Sequence, residues 1–252
     1  MKRNANPKHL PRLAAVLGIA AAVLRLGLYL FGRDNRNLLS AAHPLNLLVW
    51  TVTAAAVVLI LAAVRKLEGP SQYRDNFPPS VPAALGAFAL AGGIAATVFS
   101  SLSAFTLLER LRNLAGILAV AGMVAAGLCR GLGKRPFFGC HGVLCLYLTL
   151  FAVSHYQTWC SRPQLQDYFF AVLGCLLLAL FAYYQTAFDA DLGQRRMQLG
   201  TGLLAGFTCL AALGHTENAV LYLTGSIWAL TNLCSLSPAA NGETEENDNA
   251  PS

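Results

Sequence analysis

The sequence predicts an all-α membrane protein, a bundle of eight transmembrane helices. Three observations support this fold class. Hydrophobic residues make up 56% of the 252 residues and charged residues only 12%, about half the charged share of an ordinary soluble domain. The apolar residues form continuous blocks of about 20, the length that a helix needs to cross a bilayer core. Lys and Arg also alternate in density between successive blocks, as expected for loops on two sides of a membrane.

The continuity of the blocks decides between the two structures that span membranes. A transmembrane β-barrel requires short segments in which polar and apolar residues alternate. These blocks do not alternate, so we expect helices, which satisfy their backbone hydrogen bonds within one segment.

The first half of the chain contains four predicted spans, at residues 13–31, 45–64, 81–108 and 111–129. The first block resembles a signal peptide as far as Leu24, but it remains apolar beyond Arg25, so we expect an uncleaved helix. Ser80, which follows two prolines, is predicted to cap the start of the third span. That span is longer than a bilayer requires, so we expect it to tilt or to end in an interfacial segment.

The second half contains four more predicted spans, at residues 137–156, 168–188, 197–213 and 219–234. The last two blocks are short and are joined by a tight turn at residues 214–218. A re-entrant hairpin is therefore the alternative interpretation, which gives seven spans plus an interfacial segment.

The division of basic residues predicts that both termini are cytoplasmic. Twelve lie on the side of the N-terminus: Lys2, Arg3, Lys8, Arg12, Arg65, Lys66, Arg74, Arg130, Lys134, Arg135, Arg195 and Arg196. Five lie on the other side: Arg33, Arg36, Arg110, Arg112 and Arg162. That side also has Tyr156, Trp159 and Tyr168 at span ends, typical of an interfacial aromatic belt. We expect an integral protein of the bacterial cytoplasmic membrane.

Three regions follow from these patterns. Residues 1–12 form a basic cytoplasmic N-terminus, and residues 13–235 form the transmembrane helical domain. Residues 236–252 are acidic and almost free of apolar side chains, so we expect a disordered cytoplasmic tail.

Composition and motifs restrict the partners. The net charge is +6, but the basic residues lie at block ends rather than on one helix face with aromatics, so we expect lipid rather than nucleic acid as a partner. The seven cysteines include no Cys-x-x-Cys pair, and we expect no disulfide framework. No nucleotide-binding or hydrolase motif is present, and we expect no cofactor. No motif identifies a family.

Arg25 is the most informative single residue, because a charge within a span is costly and is enriched at functional sites. We expect it to lie inside the bundle and to bind a small anionic solute. The predicted substrate-binding set is completed by polar residues of other spans: Thr51, Ser226 and Asn232.

A second candidate site is a metal centre on the side opposite the termini. Its predicted ligands are His43, His155, His215 and Glu217. Imidazole and carboxylate groups are suitable zinc ligands, although the sequence shows no typical ligand spacing.

The functional hypothesis is transport of a small solute, by this chain alone or as the membrane subunit of a transporter. Two alternatives stay open from the residues alone. The first is a membrane-embedded enzyme or redox subunit that uses the histidine and acid group. The second is a non-catalytic membrane sensor or scaffold.

Overall fold

The apolar blocks fold as helices in the structure, a computed structural model that describes residues 9–32, 43–65, 67, 69–101, 106–160 and 168–237. Over these residues the chain is helical and contains no strand, which confirms the predicted helical class. The helices are α1 (His9–Phe31), α2 (Pro44–Val64), α3 (Tyr73–Asn76), α4 (Val81–Ser100), α5 (Leu107–Gly131), α6 (Gly139–Trp159), α7 (Phe169–Asp189), α8 (Arg195–Ala212) and α9 (Ala219–Cys234).

Six helices in the described part of the chain are long and apolar enough to cross a membrane: α1, α2, α4, α5, α6 and α7. The other two predicted spans are also helices. However, α9 has only 16 residues, and α8 begins with two arginines and is less apolar.

The arrangement of the helices explains the composition of α8. Helices α4 to α9 pack in sequence, and α9 packs back onto α4, which closes a ring. On the outside of this ring, α1 and α2 cover α8. Since α8 has protein on most sides, 15 of its 18 residues are buried. A helix shielded from lipid needs small residues for close packing more than it needs apolar ones.

The largest difference between the predicted and observed helix bounds falls between α4 and α5. The third block was expected to reach residue 108, but α4 ends at Ser100 and Leu107 begins α5. The cause is a capping box, in which Thr106 accepts a hydrogen bond from the Glu109 amide and Glu109 accepts one from the Thr106 amide. The predicted cap of α4 is confirmed, because the Ser80 hydroxyl accepts from the Ala83 amide.

Some predictions concern residues outside the described part of the chain. These are the first eight residues of the basic N-terminus, the acidic tail from residue 238, and Arg33, Arg36, Lys66 and Arg162.

Close packing of α4 on α9 depends on two glycines of α4. A Cβ added at Gly86 would overlap the Thr231 hydroxyl, and one added at Gly93 would overlap the Thr224 hydroxyl. In contrast, a Cβ at Gly92 would meet no atom within 4 Å. The face that contains Gly86 and Gly93 is therefore the packing face.

The loops meet at two ends of the bundle. The α3 end contains residues 69–80, 132–138, 190–194 and 235–237, which are joined by backbone hydrogen bonds such as Gly193 N to Ser71 O (3.2 Å) and Ser237 N to Asn76 O (2.9 Å). The far end contains residues 101, 106, 160, 168 and 213–218.

Candidate functional site

The short helix α3 covers the polar interior at the α3 end. The Asn76 amide group donates to the carbonyls of Pro70 (2.7 Å) and Gln72 (2.9 Å), which closes the loop on itself. The backbone amide of Tyr73 donates to Oδ1 of Asp191 (2.9 Å). Oδ2 of Asp191 forms an exposed ion pair with Arg135. The loop before α8 thus holds the segment in place.

A buried arginine lies beneath this segment. Arg130, in the last turn of α5, is 6% exposed, and its guanidinium carbon lies 4.6 Å from the centre of the Phe77 ring. Nη2 donates to the Ser235 hydroxyl (2.7 Å). Nε and Nη1 are buried without a hydrogen-bond acceptor in the described structure. A buried guanidinium with such donors is able to bind an anion, and the Tyr73 phenol is the neighbouring side chain that interacts with it by hydrogen bonding.

Tyr73 lies beside the Arg130 guanidinium, and its environment favours the neutral phenol. Burial raises the pKa of Tyr73, and the positive charge of Arg130 opposes this rise only in part. The phenol therefore carries its proton at neutral pH and presents a neutral group to Arg130.

A histidine and an aspartate form a second buried element. Nδ1 of His141, in the first turn of α6, lies 2.6 Å from Oδ2 of Asp189, the last residue of α7. Their side chains are 5% and 0% exposed. Oδ1 of Asp189 has no hydrogen-bond partner in the part of the chain that is described. The Trp228 ring stacks on His141 at a centroid distance of 5.9 Å.

Three amide side chains extend this polar region. Nε2 of Gln198 donates to Oε1 of Gln185 (2.6 Å), which links α8 to α7. Oε1 of Gln198 and Oδ1 of Asn232 are buried and, among the described residues, have no donor. The region therefore offers unused acceptors as well as the unused donors of Arg130.

We call this set of seven residues the buried polar cluster: Tyr73, Arg130, His141, Gln185, Asp189, Gln198 and Asn232. Five of them line one small cavity together with alanines, Pro136 and Trp228. The cavity has room for about one water molecule. Tyr73 of α3 lines the cavity on the side of the α3 end.

A second buried arginine fastens the chain around the cluster. Nη1 of Arg195 donates to Oδ1 of Asn76 (2.9 Å), and Nη2 donates to the carbonyl of Ser237. Arg130 and Arg195 were both predicted to lie at a membrane face and to set topology. The structure instead places their side chains inside the protein, where each bonds a loop or a helix end.

The four predicted substrate-binding residues do not come together. Arg25 is inside the bundle as expected, 8% exposed, but Nη1 donates to the Ala211 carbonyl (2.7 Å) and the guanidinium lies on the Phe170 ring. It is therefore near the far end. Thr51 is exposed and donates to its own helix at Leu47.

The other two predicted residues lie on α9. Ser226 is buried halfway along this helix and donates to the Leu223 carbonyl (2.7 Å). Asn232 is closer to the α3 end and belongs to the buried polar cluster. Of the predicted set, Asn232 is thus the member that the structure places at this cavity.

The predicted metal ligands hold helices and turns at the far end. His43 caps α2 by accepting from the Leu45 amide (3.3 Å). Nε2 of His155 lies 3.1 Å from Nδ2 of Asn218, and its Nδ1 lies 3.2 Å from the Phe151 carbonyl. A His155 tautomer with the proton on Nδ1 satisfies both contacts.

His215 stacks on Tyr29 at a centroid distance of 4.1 Å, and Glu217 interacts electrostatically with His155. Within the described ranges, no group of three or more His, Cys, Asp or Glu side chains is placed to hold a metal ion. The metal centre stays a sequence-based prediction.

Of the three aromatic residues predicted to form an interfacial belt, two are buried in the structure and one is exposed. Trp159 and Tyr168 are buried and stack on each other at 5.0 Å, so they pack inside the protein. Tyr156 is exposed, as a residue at the lipid interface would be.

Sequence reasoning missed most of the buried polar cluster. The charge pattern places Arg130 in a loop, Asp189 falls one residue beyond the predicted span 168–188, and His141 lies in the span 137–156 without a predicted role. One signal was present in the sequence: polar residues in the terminal turns of several spans all fall at the same end of the bundle. No family model matches the chain, and no curated protein or solved structure is significantly similar to it.

Proposed function

We propose that this multi-pass membrane protein transports a small anionic solute, alone or as the membrane subunit of a transporter, and that the buried polar cluster is its binding site. One observation carries the proposal: Arg130 and Asn232 line a small cavity inside an apolar bundle, and both have buried polar atoms without a hydrogen-bond partner among the described residues. Each such atom costs about 1–3 kcal/mol of stability when it is left unpaired. A solute that bonds these atoms offsets that cost.

We propose that α8 and α9 also cross the membrane, which gives eight spans. About 27 Å of helix is available in the 18 residues of α8 and about 24 Å in the 16 residues of α9, at 1.5 Å per residue. Both lengths are close to the bilayer core of roughly 30 Å. Since α8 runs between the two ends of the bundle and is covered by α1, α2, α7 and α9, it needs little lipid-facing surface.

The proposal also places the α3 end in the cytoplasm, with both termini on that side. Eight described basic residues lie near this end: Arg12, Arg65, Arg74, Arg130, Lys134, Arg135, Arg195 and Arg196. Arg110 and Arg112 lie at the far end. An excess of Lys and Arg in short loops is typical of the cytoplasmic side of bacterial membrane proteins.

Arg130 supplies the anion preference of the proposed site. Its two unused donors provide charge-assisted hydrogen bonds, which are stronger than neutral ones. The amide oxygens of Gln198 and Asn232 accept bonds from a hydroxyl or ammonium group if the solute carries one. The small cavity favours a small solute and excludes a large one unless the covering segment moves.

The segment around α3 is the proposed gate on the cytoplasmic side. Tyr73 and Phe77 lie over Arg130, and Asp191 holds the segment from outside. Opening of this gate breaks the Asp191 contacts and the Arg195–Asn76 hydrogen bond, and it exposes Arg130 to water. Such a gate allows solute access from the α3 end without any rearrangement of the ring of helices.

A thermal-shift screen of the full-length protein in detergent tests the proposal. The sodium salts of chloride, nitrate, phosphate, lactate and glutamate are compared at constant ionic strength, with gluconate as a bulky anion. We expect at least one small anion to raise the melting temperature of the wild type and of Arg196→Gln, which alters an exposed arginine at the same end. Arg130→Gln should lose the shift.

The proposal fails if no anion of the panel stabilises the wild type. It also fails if Arg130→Gln, shown to be folded by gel filtration and circular dichroism, is stabilised as strongly as Arg196→Gln. In the first case no anion site is present, and in the second case the site does not depend on Arg130.

A further inference from the structure

The two buried elements of the cluster, Arg130 and the His141–Asp189 pair, interact electrostatically with each other. The Arg130 guanidinium and the Asp189 carboxylate carry opposite charges, and His141 hydrogen-bonds the carboxylate. We infer that the His141–Asp189 pair takes up one proton when an anion binds at Arg130, so that the protein carries a proton and a monovalent anion together. This inference rests on the proposed function and names its coupling ion.

Charge balance inside the bundle provides the first argument. An anion that binds alone adds one negative charge to a region of low dielectric, where an uncompensated charge costs several kcal/mol. Because Arg130 and Asp189 interact electrostatically, an anion at Arg130 is also repelled by the Asp189 carboxylate, and repulsion between like charges favours protonation of one partner. Binding of a proton with the anion leaves the net charge of the cluster unchanged.

The second argument is that one carboxylate oxygen of the His141–Asp189 pair has no hydrogen-bond partner in the described structure. Oδ2 of Asp189 accepts from His141, but Oδ1 is buried without a partner. Protonation forms an O–H bond at the carboxylate, and the proton comes from water at the open gate and returns to water on release. The O–H bond of the hydronium ion that supplies the proton breaks in the same step, and no electron is transferred. Buried Asp and His groups in membrane bundles are typical of proton pathways.

The other groups that face the pair do not replace it as the proton acceptor. Those that titrate or carry charge lie on three neighbouring elements and on α6 itself: Tyr73 of α3, Cys129 and Arg130 of α5, Arg135 of the following loop, and Cys140 of α6. The Tyr73 phenol holds its proton at neutral pH because burial raises its pKa, and arginine side chains do not deprotonate in proteins. From α7, α8 and α9 the neighbours are amides and the Trp228 ring, which do not titrate in this range.

Thermodynamic linkage gives the expected pH dependence. If one proton binds with each anion, a lower pH increases anion affinity. The increase is about tenfold per pH unit over the range in which the pair is unprotonated in the free protein. Protonation in turn becomes easier at higher anion concentration.

Proton uptake during anion binding is the direct test. Full-length protein in detergent and very weak buffer is titrated with the sodium salt of whichever panel anion stabilises it, and a pH indicator records the protons that disappear from solution. We expect about one proton per bound anion. Asp189→Asn, which keeps an oxygen acceptor for His141, should bind the anion with less than a tenth of this uptake. Asp75→Asn, at an exposed site of α3, should behave as wild type.

The outcomes separate the two proposals. If the wild type binds an anion but takes up no proton, the coupling is wrong and the anion site stands. If Asp189→Asn takes up a full proton, the pair is not the acceptor. If no anion binds, the proposed function falls and the coupling with it. Should Asp189→Asn fail to fold, the wild-type proton count and His141→Gln decide the question.

Discussion

Nδ1 of His141 and Oδ2 of Asp189 lie 2.6 Å apart, and this contact joins the start of α6 to the end of α7 in the interior of the bundle. The two residues are 48 positions apart in the chain. Because both side chains are almost fully buried, removal of either one leaves its partner without a hydrogen bond in a region of low dielectric.

A double-mutant cycle measures the strength of this contact. Asp189→Leu should lower the free energy of unfolding by about 1–3 kcal/mol, because His141 is left unpaired. His141→Phe combined with Asp189→Leu should cost less than the sum of the two single changes. Unfolding in detergent, followed by circular dichroism, provides the measurement. Strictly additive effects would show that the two side chains do not interact.

Gly92 and Gly93 are neighbours on α4, but substitution by alanine should affect stability at only one of them. Gly93→Ala should destabilise the bundle by about 1–3 kcal/mol, because the added methyl group overlaps Thr224 on α9. Gly92→Ala is the matched control, since its methyl group meets open space, and it should be neutral or slightly stabilising. Equal melting temperatures for the two variants would contradict the packing of α4 on α9.

Asp191 is predicted to hold the gate closed. Asp191→Gly removes both contacts of the carboxylate, and glycine accepts the left-handed backbone of this position (φ 58°) without strain. We expect amide hydrogen exchange in residues 71–77 to become about tenfold faster, the equivalent of roughly 1.4 kcal/mol. Asp75→Asn serves as the control. Unchanged exchange in Asp191→Gly would show that Asp191 does not hold the gate closed.

An Arg25 variant tests whether the solute binds at the site predicted from the sequence or at the buried polar cluster. Its hydrogen bond to Ala211 and its contact with Phe170 fasten α1 to the outside of the ring. Arg25→Leu should therefore lower stability by about 1–3 kcal/mol while the anion-induced thermal shift persists. Loss of that shift in a folded Arg25→Leu protein would show that the solute binds at Arg25.

The orientation is testable with a cysteine that the chain already has. Cys160 is exposed at the far end, so a variant that retains it as the single cysteine should react with a membrane-impermeant maleimide at the outer surface of spheroplasts. Ser71→Cys in a cysteine-free background reports on the α3 end and should react only after the membrane is opened. The reverse pattern would place the α3 end outside the cell.

The eight long helices were predicted from the sequence, but the short helix α3 and the contacts between helices were not. Predicted and observed bounds agree for α9, because a polar turn and a polar tail enclose a single apolar block. They disagree at α4 and α5, because Leu107 and Leu108 continue the apolar pattern across a helix boundary. The Thr106–Glu109 capping box was the local signal that marked this boundary.

The candidate site was only partly predictable for a physical reason. Hydropathy reports the surface that a helix presents to lipid, and it says little about which polar residues meet inside. Asn232 was recognised as an inward polar residue, whereas Asp189 was not, because it is the last residue of its helix. Its burial depends on His141 and on the α3 segment, which lie far from it in sequence.

The most direct test of the account is uptake of the stabilising anion into proteoliposomes under an imposed pH gradient, with protein-free vesicles as the background. We predict that wild type and Arg196→Gln accumulate the anion on the more alkaline side, and that Arg130→Gln reduces the initial rate at least tenfold, a loss of about 1.4 kcal/mol or more in transition-state binding. Equal rates for Arg130→Gln and wild type, or no uptake above background by any of the proteins, would contradict it.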